Sequence, residues 1–196
     1  MHTDALAVLD FWFGPPSDPG HAATRKAWFV KDPAFDAAIA QHFGPLIERA
    51  LIGGIDDWLT RPVQALPALA RVIVLDQFTR NTFRGTARAF AGDTMALQTA
   101  RALVASGADR TLTGVQRQFV YLPFEHAEDL SHQRTAVQLF QQLERDEPTL
   151  TDLVLWAQRH LDIVARFGRF PHRNAALVRV STPEETAFLL TPGSAF

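Results

Sequence analysis

Apolar residues recur at offsets of three and four along nearly the whole chain, and strand-like alternation never persists. The first such stretch runs from Thr3, as cap, through Phe13, and Gly14-Pro15-Pro16 stops it. After a loop to about Gly20, a short helix carries Trp28 and Phe29. Asp32 followed by Pro33 predicts a capped helix through Phe43, and Gly44-Pro45 is expected to break or kink it before a second piece reaches Ile52. Pro62 opens a helix to about Asn81, and Asp93 opens one that ends at Gly107. Thr113 caps a helix through Leu122 with a kink expected at Pro123, and Ser131 caps another to about Glu147. Thr149 or Thr151 leads a long helix to Phe167, closed by Gly168, and a short one covers His172 to Val178. Thr182-Pro183-Glu184-Glu185 joins a capping box to a proline at the first helical position and starts a last helix through Leu190. The pattern predicts an all-α chain of about nine or ten helices whose short connections make neighbours antiparallel. Such a stack closes into a compact bundle or a short solenoid with a concave face. No repeat of tetratricopeptide length survives inspection.

The 196 residues suit one hydrophobic core, so a single domain over 1–196 is expected. Apolar residues at 47% and charged residues at 20% exclude a disordered chain, and no run is long enough for a membrane span. Asp4 and Asp10 interrupt the apolar start, which argues against a secretory signal. With no cysteine, thiolate metal sites, disulfides and cysteine nucleophiles drop out, and a reducing cytoplasm is the default compartment. Neither a metal nor a cofactor is expected: seven scattered histidines contain no His-x-x-x-His pair, and no phosphate loop or dinucleotide fingerprint is present.

Net charge is −2, which excludes the basic excess of a general nucleic-acid binder. Its distribution is uneven. Five arginines face two aspartates between Arg71 and Arg101, and five more face Asp162 alone between Arg159 and Arg179. Two positive islands in an otherwise acidic chain could meet and receive an anion.

Polar groups break the apolar pattern at three places. Asp76 shares a helical face with Leu69, Val72, Ile73 and Arg80, and a carboxylate on an apolar face needs a partner. Arg80 is the nearest, with Asn81 and Arg84 close behind. In Tyr121-Leu122-Pro123-Phe124-Glu125-His126-Ala127-Glu128, His126 and Glu128 form a candidate acid–base pair. In Arg166-Phe167-Gly168-Arg169-Phe170-Pro171-His172-Arg173-Asn174, a helix starting near His172 would offer free N–H groups to an anion beside Arg169 and Arg173. Each stretch also admits a structural role: a buried pair locking a helix end, a surface histidine, a capped aromatic turn.

These stretches, written Asp76-Gln77-Phe78-x-Arg80-Asn81-x-Phe83-Arg84-Gly85, Tyr121-Leu122-Pro123-Phe124-x-His126-x-Glu128 and Arg166 to Asn174, together with Leu9-Asp10-Phe11-Trp12-Phe13-Gly14, resemble the signature of a bacterial family, the domain of unknown function numbered 924. The resemblance runs from about residue 5 to residue 190. It implies an all-helical, tetratricopeptide-like fold and brings no established activity. Thr79 stands where the pattern has proline, and Glu125 where it has an apolar residue.

Three functions compete. The first is a helical binding module whose polar face, formed by Asp76, Arg80, Asn81, Arg84, Tyr121, Arg169, Arg173 and Asn174, takes an anionic small molecule or a peptide carboxylate. The second is a hydrolase or lyase with His126 or His172 as general acid or base, Glu128 as orienter and arginines as substrate clamps. The third is an interaction scaffold in which the same groups are purely structural. The first two place the three stretches around one cavity, and Asp76 is expected to be buried against an arginine. Arg169 and Arg173 are expected to matter for ligand more than for stability.

Overall fold

A computed structural model describes residues 2–194, and among these there is no strand. The described residues form eight α-helices rather than the nine or ten expected: α1 (Thr3–Phe13), α2 (Pro33–Leu51), α3, α4 (Asp93–Ser106), α5 (Gly114–Glu125), α6 (Leu130–Asp146), α7 (Leu153–Phe167) and α8 (Pro183–Leu189). Helix α3 is continuous but changes winding, from α over Ala65–Val72 to π over Ile73–Phe78 and back to α over Thr79–Thr82.

Every residue from Pro67 to Thr79 is buried, so α3 is the central element. A helix that is apolar all round needs neighbours on every side. Here α1, α2, α4 and α5 supply them. The chain then continues as consecutive packed pairs, α4 on α5, α5 on α6 and α6 on α7. Aromatic rings fill the space between α1, α2 and α3: Trp12 stacks on Trp28 at 5.7 Å, Phe43 meets Phe78 at 4.8 Å, and Phe119 of α5 stands edge-on to Trp28 at 4.9 Å. A smaller cluster of Ile163, Val164 and Phe170 packs with Phe167 and Phe188 at the far end.

Local signals explain several helix starts. The Asp32 carboxylate accepts from the backbone N–H groups of Ala34 and Phe35, and Thr113 with Gln116 and Thr182 with Glu185 form reciprocal capping boxes. Other expectations are corrected. Helix α2 runs without a break through Gly44-Pro45 to Leu51, and α5 passes Pro123 to end at Glu125 rather than Leu122. Pro45 is exposed, so water can serve the carbonyl its ring leaves unbonded. Pro123 is buried among Phe119, Val120, Leu122 and Phe124, and packing holds α5 helical to Glu125. The third helix starts at Ala65 rather than Pro62. His2 rather than Thr3 occupies the first cap, and Asp129 rather than Ser131 caps α6 through two backbone N–H groups. Asp152, in the left-handed region at φ 66°, precedes α7 in place of a threonine cap. No helix spans His172 to Val178: only the three-residue 3₁₀ turn Pro171–Arg173 forms, so the expected helix N-terminus for an anion is missing. No helix among the described residues is long and apolar enough to cross a membrane.

Candidate functional site

Asp76 has no exposed surface and sits in the π-wound turn of α3. A buried carboxylate must be paired. Its Oδ1 lies 3.0 Å from Arg80 Nη1, one helical turn on, and 2.7 Å from His126 Nδ1, just beyond α5. Its Oδ2 accepts from the Gln77 amide. Burial alone would raise the Asp76 pKa, but Arg80, His126 and Gln77 together hold it well below the usual carboxylate range. The Thr79 hydroxyl donates to the Leu75 carbonyl at 2.9 Å, within the same rewound segment. Such π-turns recur at functional sites because they redirect side chains that α geometry would hide.

His126 is 15% exposed. Burial, reinforced by the Arg80 charge, lowers its pKa, so the ring is neutral near pH 7. With Nδ1 facing the Asp76 carboxylate, the proton belongs on Nδ1 and Nε2 is left as an acceptor. Behind it lies Glu125, 4% exposed, whose Oε1 is 3.1 Å from His160 Nδ1. Burial and the Asp76 charge push the Glu125 pKa up to about 8, and burial lowers His160 to about 3. A protonated carboxylic acid and two neutral imidazoles thus stand beside one ionised aspartate.

The three stretches do converge, through Asp93, a residue outside all of them. Asp93, the first residue of α4, receives Arg80 Nη1 on Oδ1 at 2.8 Å and Arg173 Nη1 on Oδ2 at 3.2 Å. Arg173 is buried between Phe90 and Phe170, with its guanidinium 4.7 and 4.5 Å from their ring centres. Burial and the nearby Arg80 lower its pKa to about 10. Asp93 thus places a negative charge between the two arginines. Gly92 makes this possible, because a Cβ there would collide with the backbone of Leu75.

Glu128 does not orient His126. Its carboxylate accepts from the backbone N–H of Phe170 at 2.8 Å and from both Nη groups of Arg179, at 2.5 and 2.9 Å. Arg179 Nε also donates to Asn174 Oδ1 at 3.0 Å, and Asn174 Nδ2 donates to Ser181 at 3.0 Å. Arg169 grips buried Glu185 with two bonds of 2.7 and 2.8 Å and caps Val180 O at 2.9 Å. Arg169, Arg173 and Asn174 are thus tied into the fold, contrary to the expectation that they stand ready for a ligand. The His172 ring lies 5.6 Å from Phe170, and burial with the Arg173 charge lowers its pKa to about 4.

Asn81 and Arg84 turn to α2. Both bind Asp36, Asn81 through one bond of 2.7 Å and Arg84 through two of 2.9 and 3.0 Å. Tyr121 belongs to a different cavity altogether, with its hydroxyl donating to Asp109 at 2.6 Å and accepting from Arg117 Nε at 3.1 Å. Of the sequence candidates, Asp76, Arg80, His126 and Arg173 remain as one cluster, and Glu128 and His172 stand beside it. Asp93, Glu125, His160 and Arg179 complete it. Among the described residues no group of three or more His, Asp or Glu side chains is arranged to hold a metal ion.

A protein of unknown function from Agrobacterium tumefaciens, whose structure is solved, is similar to this chain at 39% identity and a TM-score of 0.79, over 95% of this chain and 96% of that one. No curated protein matches. The model of the family described as "Bacterial protein of unknown function (DUF924)" matches residues 8–193, and the chain belongs to that family.

Proposed function

We propose that the chain is an acid–base enzyme, a hydrolase or lyase, in which His126 Nε2 moves the proton and Asp76 holds the ring. The observation that carries this is the 2.7 Å contact between a mostly buried, neutral imidazole, 15% exposed, and a carboxylate with no exposed surface. That pairing fixes the tautomer, keeps Nε2 basic and stabilises the imidazolium formed when it takes a proton. Glu125, protonated near neutral pH, is the proton reserve of the same cluster. Arg80 steadies negative charge at its rim. Asp76 takes the orienting role expected of Glu128, and of the two candidate bases, His126 and His172, it is His126 that moves the proton.

The test is release of the chromogenic leaving group from a panel of nitrophenyl esters, nitroanilides and nitrophenyl phosphate, with His126→Gln as control. Turnover of one class, lost in the variant while its circular dichroism is unchanged, supports the proposal. No turnover of any class, or equal turnover in His126→Gln, defeats it.

A second reading, a binding module for a small anion or a peptide carboxylate, is favoured by one observation. Arg80 Nη2 and Arg173 Nε are buried N–H groups without a hydrogen-bond partner among the described residues. Unused cationic donors carry a cost that an oxyanion or ordered water relieves. The consecutive pairing of α4 to α7 supports a tetratricopeptide-like stack, with this cluster at the rim of its later pairs. A thermal-shift screen against anionic metabolites and short peptides separates the two readings, because only the second needs a stable complex without turnover.

A further inference from the structure

On another side of α5, a cavity of about 230 Å³ opens between the turn Ala108–Thr111, α5 and α6. Its floor is polar and buried. The Tyr121 hydroxyl, 1% exposed as a residue, donates to Asp109 Oδ2 at 2.6 Å and accepts from Arg117 Nε at 3.1 Å. Arg117 continues to Asp146 at 2.9 Å, Asp146 receives the Gln142 amide at 2.7 Å, and Gln142 Oε1 receives Arg145 at 3.0 Å. One hydrogen-bonded chain therefore runs from floor to rim.

Charge along this chain does not balance. Asp109 and Asp146 face three arginines, and among the described residues Arg110 and Arg145 have no carboxylate within ion-pair distance. The arginines of the His126 cluster, by contrast, are already matched to Asp76 and Asp93. Guanidinium groups converging on a recess select a compact oxyanion, and an arginine fork binds phosphate with two bonds. The space suits a phosphate on a short carbon skeleton rather than a large ligand.

We propose that this cavity binds the phosphate group of a small phosphorylated metabolite, with Arg110 and Arg145 as the gripping cations and Tyr121 and Arg117 as the fixed floor. It is a second site, independent of the chemistry proposed for His126.

The test is calorimetric titration of the full chain with inorganic phosphate, and with malonate as a carboxylate of similar size. Phosphate should bind more tightly than malonate. Arg110→Ala and Arg145→Ala, both at exposed positions, should each weaken phosphate by about tenfold, the scale of one charge-assisted hydrogen bond. His126→Gln should leave it unchanged. No phosphate binding, binding as tight as the parent's in either arginine variant, a preference for malonate, or loss of binding in His126→Gln would each overturn the proposal.

Discussion

Gly92 lies so close to Leu75 that a Cβ at position 92 would stand 2.1 Å from the Leu75 carbonyl oxygen. This approach of the chain to the π-wound stretch of α3 is what brings the next residue, Asp93, within reach of Arg80. Gly92→Ala must push α4 outward. Overpacking against backbone costs about 1–3 kcal/mol, and urea denaturation should show a loss of that size. A variant as stable as the parent would mean that α4 can shift without strain.

Asp76→Ala removes a fully buried partner of Arg80 and His126. Breaking such a pair from one side costs about 3–5 kcal/mol, whereas Asp76→Asn keeps the shape and should cost less. In Asp76→Asn the His126 tautomer is no longer fixed by a carboxylate. Nitrogen-15 shifts of the His126 ring should then show a mixture of tautomers. Shifts identical to the parent would remove Asp76 from the orienting role.

Stability should peak near pH 6.5. His126, His160 and His172 all have pKa values lowered principally by burial, His160 to about 3 and His172 to about 4. Below about 6.5 the unfolded chain takes up protons that the folded one refuses, so stability falls on acidification, by up to about 1.4 kcal/mol per pH unit for each histidine. Glu125 acts in the opposite sense. With its folded pKa raised to about 8, the folded chain holds the extra proton between the ordinary value and 8, and stability falls as pH rises through that window. Three histidines outweigh one glutamate on the acid side, and Glu125 acts alone above them. Urea midpoints from pH 4.5 to 9 should trace this maximum, and Glu125→Gln should flatten its alkaline side and steepen its acid side.

Arg173→Ala should destabilise the chain by about 2 kcal/mol, through lost stacking on Phe90 and Phe170 and the lost bond to Asp93. The charge islands suggested a ligand effect with little cost to the fold. Thermal unfolding of the variant without additives decides between them.

Signals that act over a few residues were legible before the structure: the Asp32 cap, the Thr182 capping box, and the burial of Asp76 on a face it shares with Val72 and Ile73. What failed was long-range pairing. Arg80 and Asp93 are close in sequence, but nothing local says that Gly92 lets α4 touch α3. Glu128 meets Arg179 across 51 positions, and Asp36 meets Arg84 across 48. No spacing rule reaches so far. Tyr121 was avoidable, since five residues along a helix turn it about 140° away from His126. Helix α5 outruns its expected end at Leu122 because tertiary packing holds the turn around Pro123.

The bonds that draw the candidate site together also set the order in which it can exist. Asp76 and Arg80 are neighbours on one helix, His126 joins from 50 positions away, and Arg173 reaches Asp93 from 80 away. Closing longer loops costs more entropy, so α3 and its immediate packing partners can gather before the segment after α7 arrives. Until it does, Asp93 answers to Arg80 alone and Glu128 lacks Arg179. Completion of the site is then an indicator of completed folding: in refolding followed by hydrogen exchange, protection of the Phe170 amide, which bonds Glu128, should appear after protection along α3.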